Sequence, residues 1–286
     1  MLAVLGRQFR RILLTVLLGG LLGATLVRLS PGFGVDEREL DNRLNAQSLE
    51  AIRSEHAAEN NVARFYLHYL TGLAHGDLGF SRSLNRPIAE LFKERLPLTL
   101  ASLAYGVLGG IGIGLGLALV TVAWRQPACN LVPSLVSGLC LAVPAGVIAL
   151  VLLWIGRGAR WALALVVFPH VYRYAKNLLV AAYQSTHVLA AQAKGLGGLR
   201  VLLAHVVLPA LPQLAALAGI SVSLAFGASI PIEAVADMPG IGQLAWQAAL
   251  ERDLPLLVNI TVLIALLTLV VNSLADLALA ARRPAA

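Results

Sequence analysis

Six uncharged, apolar stretches of this chain are candidate membrane spans: 12–27, 96–124, 126–156, 161–172, 201–232 and 254–275. No other feature constrains the fold as strongly. A helix needs about 20 apolar residues to cross the hydrocarbon core of a bilayer. Lipid offers no partner for a backbone N–H or C=O, so a spanning segment must satisfy its own polar groups. The runs are continuously apolar with no period-two alternation, which excludes a closed barrel and leaves helices. Composition agrees. Only 13% of residues are charged, about half of what a soluble domain carries, and a chain that is 58% hydrophobic is not a disordered one.

The reading is an all-α integral membrane protein, one transmembrane domain over 1–286 with six spans at about 10–29, 97–123, 129–155, 161–183, 210–232 and 254–280. The fourth reaches full length only by running through Arg173 and Lys176 to Tyr183. Arg7, Arg10 and Arg11 precede the first span; no A-x-A site follows it and Arg28 comes soon after, so an uncleaved helix is expected rather than a signal peptide. With the N-terminus inside, the cytoplasmic pieces hold Arg7, Arg10, Arg11, Arg125, Arg173, Lys176, Lys194, Arg200, Arg282 and Arg283 and no acid. That is the positive-inside bias. It fits an N-in, C-in topology and accounts for the net charge of +7 without a nucleic-acid partner. The segment 30–96 is then extracytoplasmic and 184–209 a cytoplasmic loop.

Residues 36–64 form the most polar stretch, and 65–95 bring tyrosines, Gly72, Gly76, Gly79 and Pro87. The expectation there is an interfacial segment, a turn at GDLGFS and a short amphipathic helix at 87–95. His68 and His75 do not make a metal site by themselves, and Cys129 and Cys140 form neither a zinc pattern nor a disulfide framework. No metal and no cofactor are expected. The second span carries Gly106, Gly110 and Gly114 four residues apart, the small-xxx-small spacing that lets helices approach closely in lipid.

Two segments stand above composition. In 183–212, YQSTHVLAAQAKGLGGLRVLLAHVVLPALP, a helix pattern with small residues Ala190, Ala191 and Ala193 reaches Lys194 and breaks at Gly195 to Gly198 around Leu196. A second apolar helix then starts near Leu199 and meets Pro209 and Pro212. This describes a short helix across the cytoplasmic face, either an ordinary amphipathic interfacial helix or one whose small residues let its backbone approach a partner closely. In 231–255, PIEAVADMPGIGQLAWQAALERDLP, Glu233 leaves the membrane, a turn follows at Pro239, Gly240 and Gly242, and an amphipathic helix leads to Arg252 and Asp253 before the last span.

Taken in order, these elements resemble the membrane permease subunit of bacterial ABC importers of the dipeptide/oligopeptide/nickel group. The resemblance runs over nearly the whole chain: RQFRRILLTVL at the start, GDLGFS followed by RPIAELFKERLPLTL, AAQAKGLGGLRVLLAHVVLPALP, IEAVADMPGIGQLAWQAALERDLPLLVN, and Asn272 with Asp276 near the close. It implies half of a translocation pathway in a bacterial inner (plasma) membrane. The partners would be two cytoplasmic ATPases, a second permease subunit (commonly a different chain) and an external solute-binding protein, with peptides as the first substrate expectation and nickel behind it. Ala190, Ala191, Ala193, Lys194, Gly195 and Leu196 would dock on the ATPase, and the Glu233–Gly242 turn would lie at the outer mouth.

The chain departs from the family pattern in four places. Leu189 stands where the wider superfamily often has a glutamate, and Gln192 replaces the commoner arginine. The connection at Gly156 to Arg160 is short, and AARRPAA closes the last helix in place of D-P-R. Other functions fit less well. No G-x-x-x-x-G-K-[ST] is present, so ATP hydrolysis belongs to another subunit. An intramembrane enzyme would have to use His170, Arg173, Glu233 or Asp276, which make no recognised dyad. An ion-coupled secondary transporter wants buried carboxylates in its spans, where this chain has almost none. A degenerate permease serving as a scaffold is the remaining alternative.

Overall fold

The computed structural model describes residues 70–73, 75–124 and 127–280, together with Arg10, Leu14, Leu18, Leu21 and Thr25. Apart from those five positions, the expected first span lies outside the described residues. So do the polar stretch 36–64, His68, Arg125, Arg282, Arg283 and the side chains of Cys129 and Asp276.

After helical residues 70–73 come two short strands, β1 (Phe80–Ser81) and β2 (Arg86–Pro87), antiparallel with Phe80 opposite Pro87 and Ser81 opposite Arg86. Helices follow: α1 (Ile88–Trp124), α2 (Pro127–Ala142), α3 (Ala145–Trp154), α4 (Arg160–Tyr183), α5 (Thr186–Ala193), α6 (Gly198–Val235), α7 (Ile241–Leu250) and α8 (Leu254–Ala280). They form two compact units, Met1–Arg95 with Leu244–Leu267, and Leu96–Gln243 with Thr268–Ala286.

Among the described residues, three helices are long and apolar enough to cross a bilayer: Ile88–Trp124, Gly198–Val235 and Leu254–Ser273. Several of their hydroxyl side chains are satisfied within their own helices. Thr121, Ser221 and Thr261 each donate to the carbonyl four residues back, Leu117, Leu217 and Leu257, at 2.8 Å, and Ser229 donates to Phe226 at 2.8 Å. That removes the cost of carrying a hydroxyl into lipid. The expected short helix at 87–95 is instead the opening of α1. Pro97 lies inside that helix, and a spanning helix tolerates the lost N–H.

The stretch 129–155, expected as one span, is two helices. α2 and α3 meet at a bend of 107°. Pro144 disfavours helical geometry at Val143 and itself sits extended, φ −58° and ψ 144°, as the residue before α3. Its carbonyl accepts the N–H groups of Val147 and Ile148 at 3.0 and 3.1 Å. The pair qualifies as a broken span or a re-entrant loop. α3 closes at Gly156, whose φ of +69° is the left-handed cap, with Gly156 N–H on Leu153 O and Arg157 N–H on Leu152 O.

α4 holds the second unit together. Leu163, Val167, Phe168, Val171, Tyr172, Ala175 and Leu179 are all buried, and the helix packs on α6, α2 and α3. Its 24 residues reach about 36 Å at 1.5 Å per residue. Arg173 and Lys176 make it less apolar than the three helices above.

Candidate functional site

Between α6 and α7 the chain builds a buried carboxylate node. α6 ends in a left-handed cap at Asp237, φ +50°, with Met238 N–H bonded to Glu233 O at 2.9 Å. The turn returns the start of α7 to the Glu233 side chain, which is 1% exposed. Gly242 N–H donates to Glu233 Oε2 at 2.7 Å, and Thr99 Oγ1 donates to Oε1 at 3.0 Å. Thr99 in turn accepts Ile241 N–H at 2.7 Å. The first N–H groups of a helix lack internal partners, and its N-terminus favours negative charge. Glu233 and Thr99 supply both needs from elsewhere in the chain. Gln243 Nε2 donates to Asp237 Oδ1 at 2.6 Å and ties the turn across its own neck.

The glycines here are required by contact. A Cβ at Gly240 would meet the Glu233 carboxylate and stand 2.5 Å from Thr99 Oγ1; one at Gly242 would stand 2.8 Å from Ile230 Cα. Pro239 is exposed at the tip. The acid that the sequence placed on its way out of the membrane is thus enclosed by its own turn.

Gly106, Gly110 and Gly114 lie on one face of α1 against Leu163, Val167 and Val171 of α4. A Cβ at Gly110 would sit 2.6 Å from Val167 Cβ, and one at Gly114 2.8 Å from Val171 Cβ. Gly112 and Gly116 face open space.

α5 has two unlike faces. Val188 and Ala191 are buried, and the helix packs on the first turns of α6, a π-helical segment over Val201–Val207. Leu189, Ala190, Gln192, Ala193 and Lys194 are exposed, Leu189 by 57%. Gly195 closes α5 with φ +75°. Gly195 N–H bonds Gln192 O at 2.9 Å and Leu196 N–H bonds Ala191 O at 3.4 Å, the paired bonds of a Schellman cap. A Cβ at Gly195 would meet nothing within 4 Å, so the glycine is needed for its backbone angle and not for room.

The chain matches the family of binding-protein-dependent transport system inner membrane components over residues 110–285, well over half its length. It belongs to that family. Among curated proteins it is similar to the nickel import system permease protein NikB of Staphylococcus aureus strains USA300 and NCTC 8325. Each is 24% identical over 268 residues, covering 88% of this chain and 82% of the relative. The protein is therefore an ABC importer permease of the dipeptide/oligopeptide/nickel type, a multi-pass membrane transport component.

Two further polar clusters in this permease were not singled out by sequence. Asp253, 2% exposed, caps α8 through Oδ1, which accepts Leu256 N–H at 3.1 Å. Its Oδ2 takes Ser81 Oγ at 2.7 Å, Ser83 Oγ at 2.9 Å and Ser83 N–H at 3.1 Å. Asn259 Nδ2 reaches Leu78 O at 2.9 Å. GDLGFS, expected as a turn, and the Arg252-Asp253-x-Pro255 segment before the last span are thus bound to each other. The second cluster joins α2 and α4. Lys176 Nζ donates to Asn130 Oδ1 at 3.0 Å and Ser134 Oγ at 3.3 Å, and lies 5.5 Å from the centre of the Tyr172 ring. This cluster borders a cavity of about 950 Å³ that Gln184, Leu189 and Gln192 also line.

Proposed function

We propose that this permease forms half of the translocation pathway of an ATP-driven importer in a bacterial inner membrane. It has six spans with both termini inside, and it passes a solute delivered by an external binding protein. The observation that carries the reading is the two-faced α5. Its buried side is packed on the start of a spanning helix, while a row of small residues, Ala190 and Ala193 with Lys194 and Gly195, stands exposed beside it. Such a helix accepts a groove of another protein at close range and passes its displacement to α6. Two cytoplasmic ATPases are the partners for that face, and a second, different permease completes the pathway. The Glu233–Gly242 turn then lies outside, where its internal hydrogen bonds make it a rigid edge of the outer mouth.

The solute is a peptide in our first reading, on the resemblance of the chain's motifs to the peptide group. Nickel is the second reading, favoured by the NikB relatives. A detergent pull-down of the tagged chain with mass spectrometry tests the assembly. Recovery of an ATPase bearing G-x-x-x-x-G-K-[ST], lost when 190–198 is altered, supports it; no ATPase under mild conditions overturns it. Uptake of labelled dipeptide against labelled nickel in cells carrying the transporter separates the two solutes.

A further inference from the structure

We infer that His187 is a positioning residue that ties α5 to the base of α6 through the carbonyl of His205. The helix around this point is π-helical over Val201–Val207, a register that recurs at functional sites. His187 Nε2 lies 3.0 Å from His205 O. Facing a carbonyl, the ring nitrogen is the donor. Ser185 Oγ, itself donating to Ala182 O at 2.6 Å, lies 3.3 Å from the same nitrogen, so Nε2–H points between two acceptors.

The apolar packing of α5 through Val188 and Ala191 gives adhesion without direction, because greasy surfaces slide. The His187 bond fixes the register of α5 along α6 at one atom. A push on α5 then moves the foot of α6 instead of slipping over it. This rests on the reading of α5 as the ATPase-docking helix.

The test uses the complete transporter, reconstituted with its ATPases and binding protein. Solute moved per ATP hydrolysed is the readout, and ATPase co-purification the control. A net hydrogen bond supports roughly a two- to tenfold effect. His187→Leu is expected to lower solute moved per ATP by about that factor with ATPase capture unchanged. His187→Gln, which places a donor at similar reach, recovers most of it. Unchanged coupling in His187→Leu overturns the inference, as does loss of ATPase capture in that variant, which would place His187 in the docking face. A His187→Leu defect that His187→Gln does not relieve also overturns it. Failure of the unaltered chain to capture any ATPase sinks the docking reading instead.

Discussion

Ser81 and Asp253 stand 172 positions apart in the chain, and the Ser81 hydroxyl donates to Asp253 Oδ2 at 2.7 Å. The same carboxylate caps α8 through its other oxygen, so one side chain both starts the last long helix and holds the 80–87 hairpin. Asp253→Ala removes the cap and leaves the Ser81 and Ser83 donors unpaired. A cap is worth about 1 kcal/mol and each buried unmade hydrogen bond about 1–3 kcal/mol. The expected result is a loss of several kcal/mol, read as a fall in monodisperse protein after graded heating in detergent. Asp253→Asn keeps an acceptor oxygen and costs less. Equal behaviour of the two variants would contradict the assignment.

The Thr99 hydroxyl both donates to Glu233 and accepts from Ile241. Thr99→Val keeps the shape and removes both bonds, at about 1–3 kcal/mol. Thr99→Ser keeps both and is expected near the unaltered protein. Amide hydrogen exchange at Ile241 and Gly242 reports the effect directly, faster in Thr99→Val and unchanged in Thr99→Ser.

The glycines of α1 divide by face. Gly110→Ala and Gly114→Ala force a methyl into the Cβ and Cγ1 of Val167 and Val171, and overpacking costs roughly 1–3 kcal/mol. Gly112→Ala and Gly116→Ala meet open space, and alanine is the better helix former by about 1 kcal/mol. Thermal stability should fall for the first pair and hold or rise for the second. A uniform response across all four would refute close packing on α4.

At Gly195 the requirement is a left-handed backbone, not space. Asparagine tolerates that region far better than valine. Gly195→Asn is expected to keep ATPase capture near normal, and Gly195→Val to lose most of it, with membrane insertion of both verified by fractionation. Equal loss in both would show that the glycine is needed for its small size against the ATPase surface.

What the sequence made legible follows from periodicity and punctuation. Apolar length located α1, α6 and α8, because each must be long and uncharged to sit in lipid. The Gly106, Gly110, Gly114 spacing identified a packing face, and Gly195 marked the end of α5. What it hid were relationships across the chain. Nothing local in LPLTL says that Thr99 will meet Glu233, and nothing in R-D-x-P says that Asp253 will take hydroxyls from GDLGFS. Both motifs were visible as family signatures, and the chemistry joining them appears only when the chain is folded. Pro144 was visible too, yet the apolar run 126–156 outweighed it and suggested one span where the chain bends by 107°.

The measurement that bears most directly on the account is site-directed cross-linking of α5. In a chain with Cys129 and Cys140 replaced by serine, Ala190→Cys on the exposed face is treated with a short bifunctional thiol reagent in membranes containing the whole transporter. The account predicts a cross-link to the ATPase subunit whose yield changes when ATP is bound, and none from Val188→Cys on the buried face. A cross-link to no ATPase, or equal yields from both faces, would contradict it.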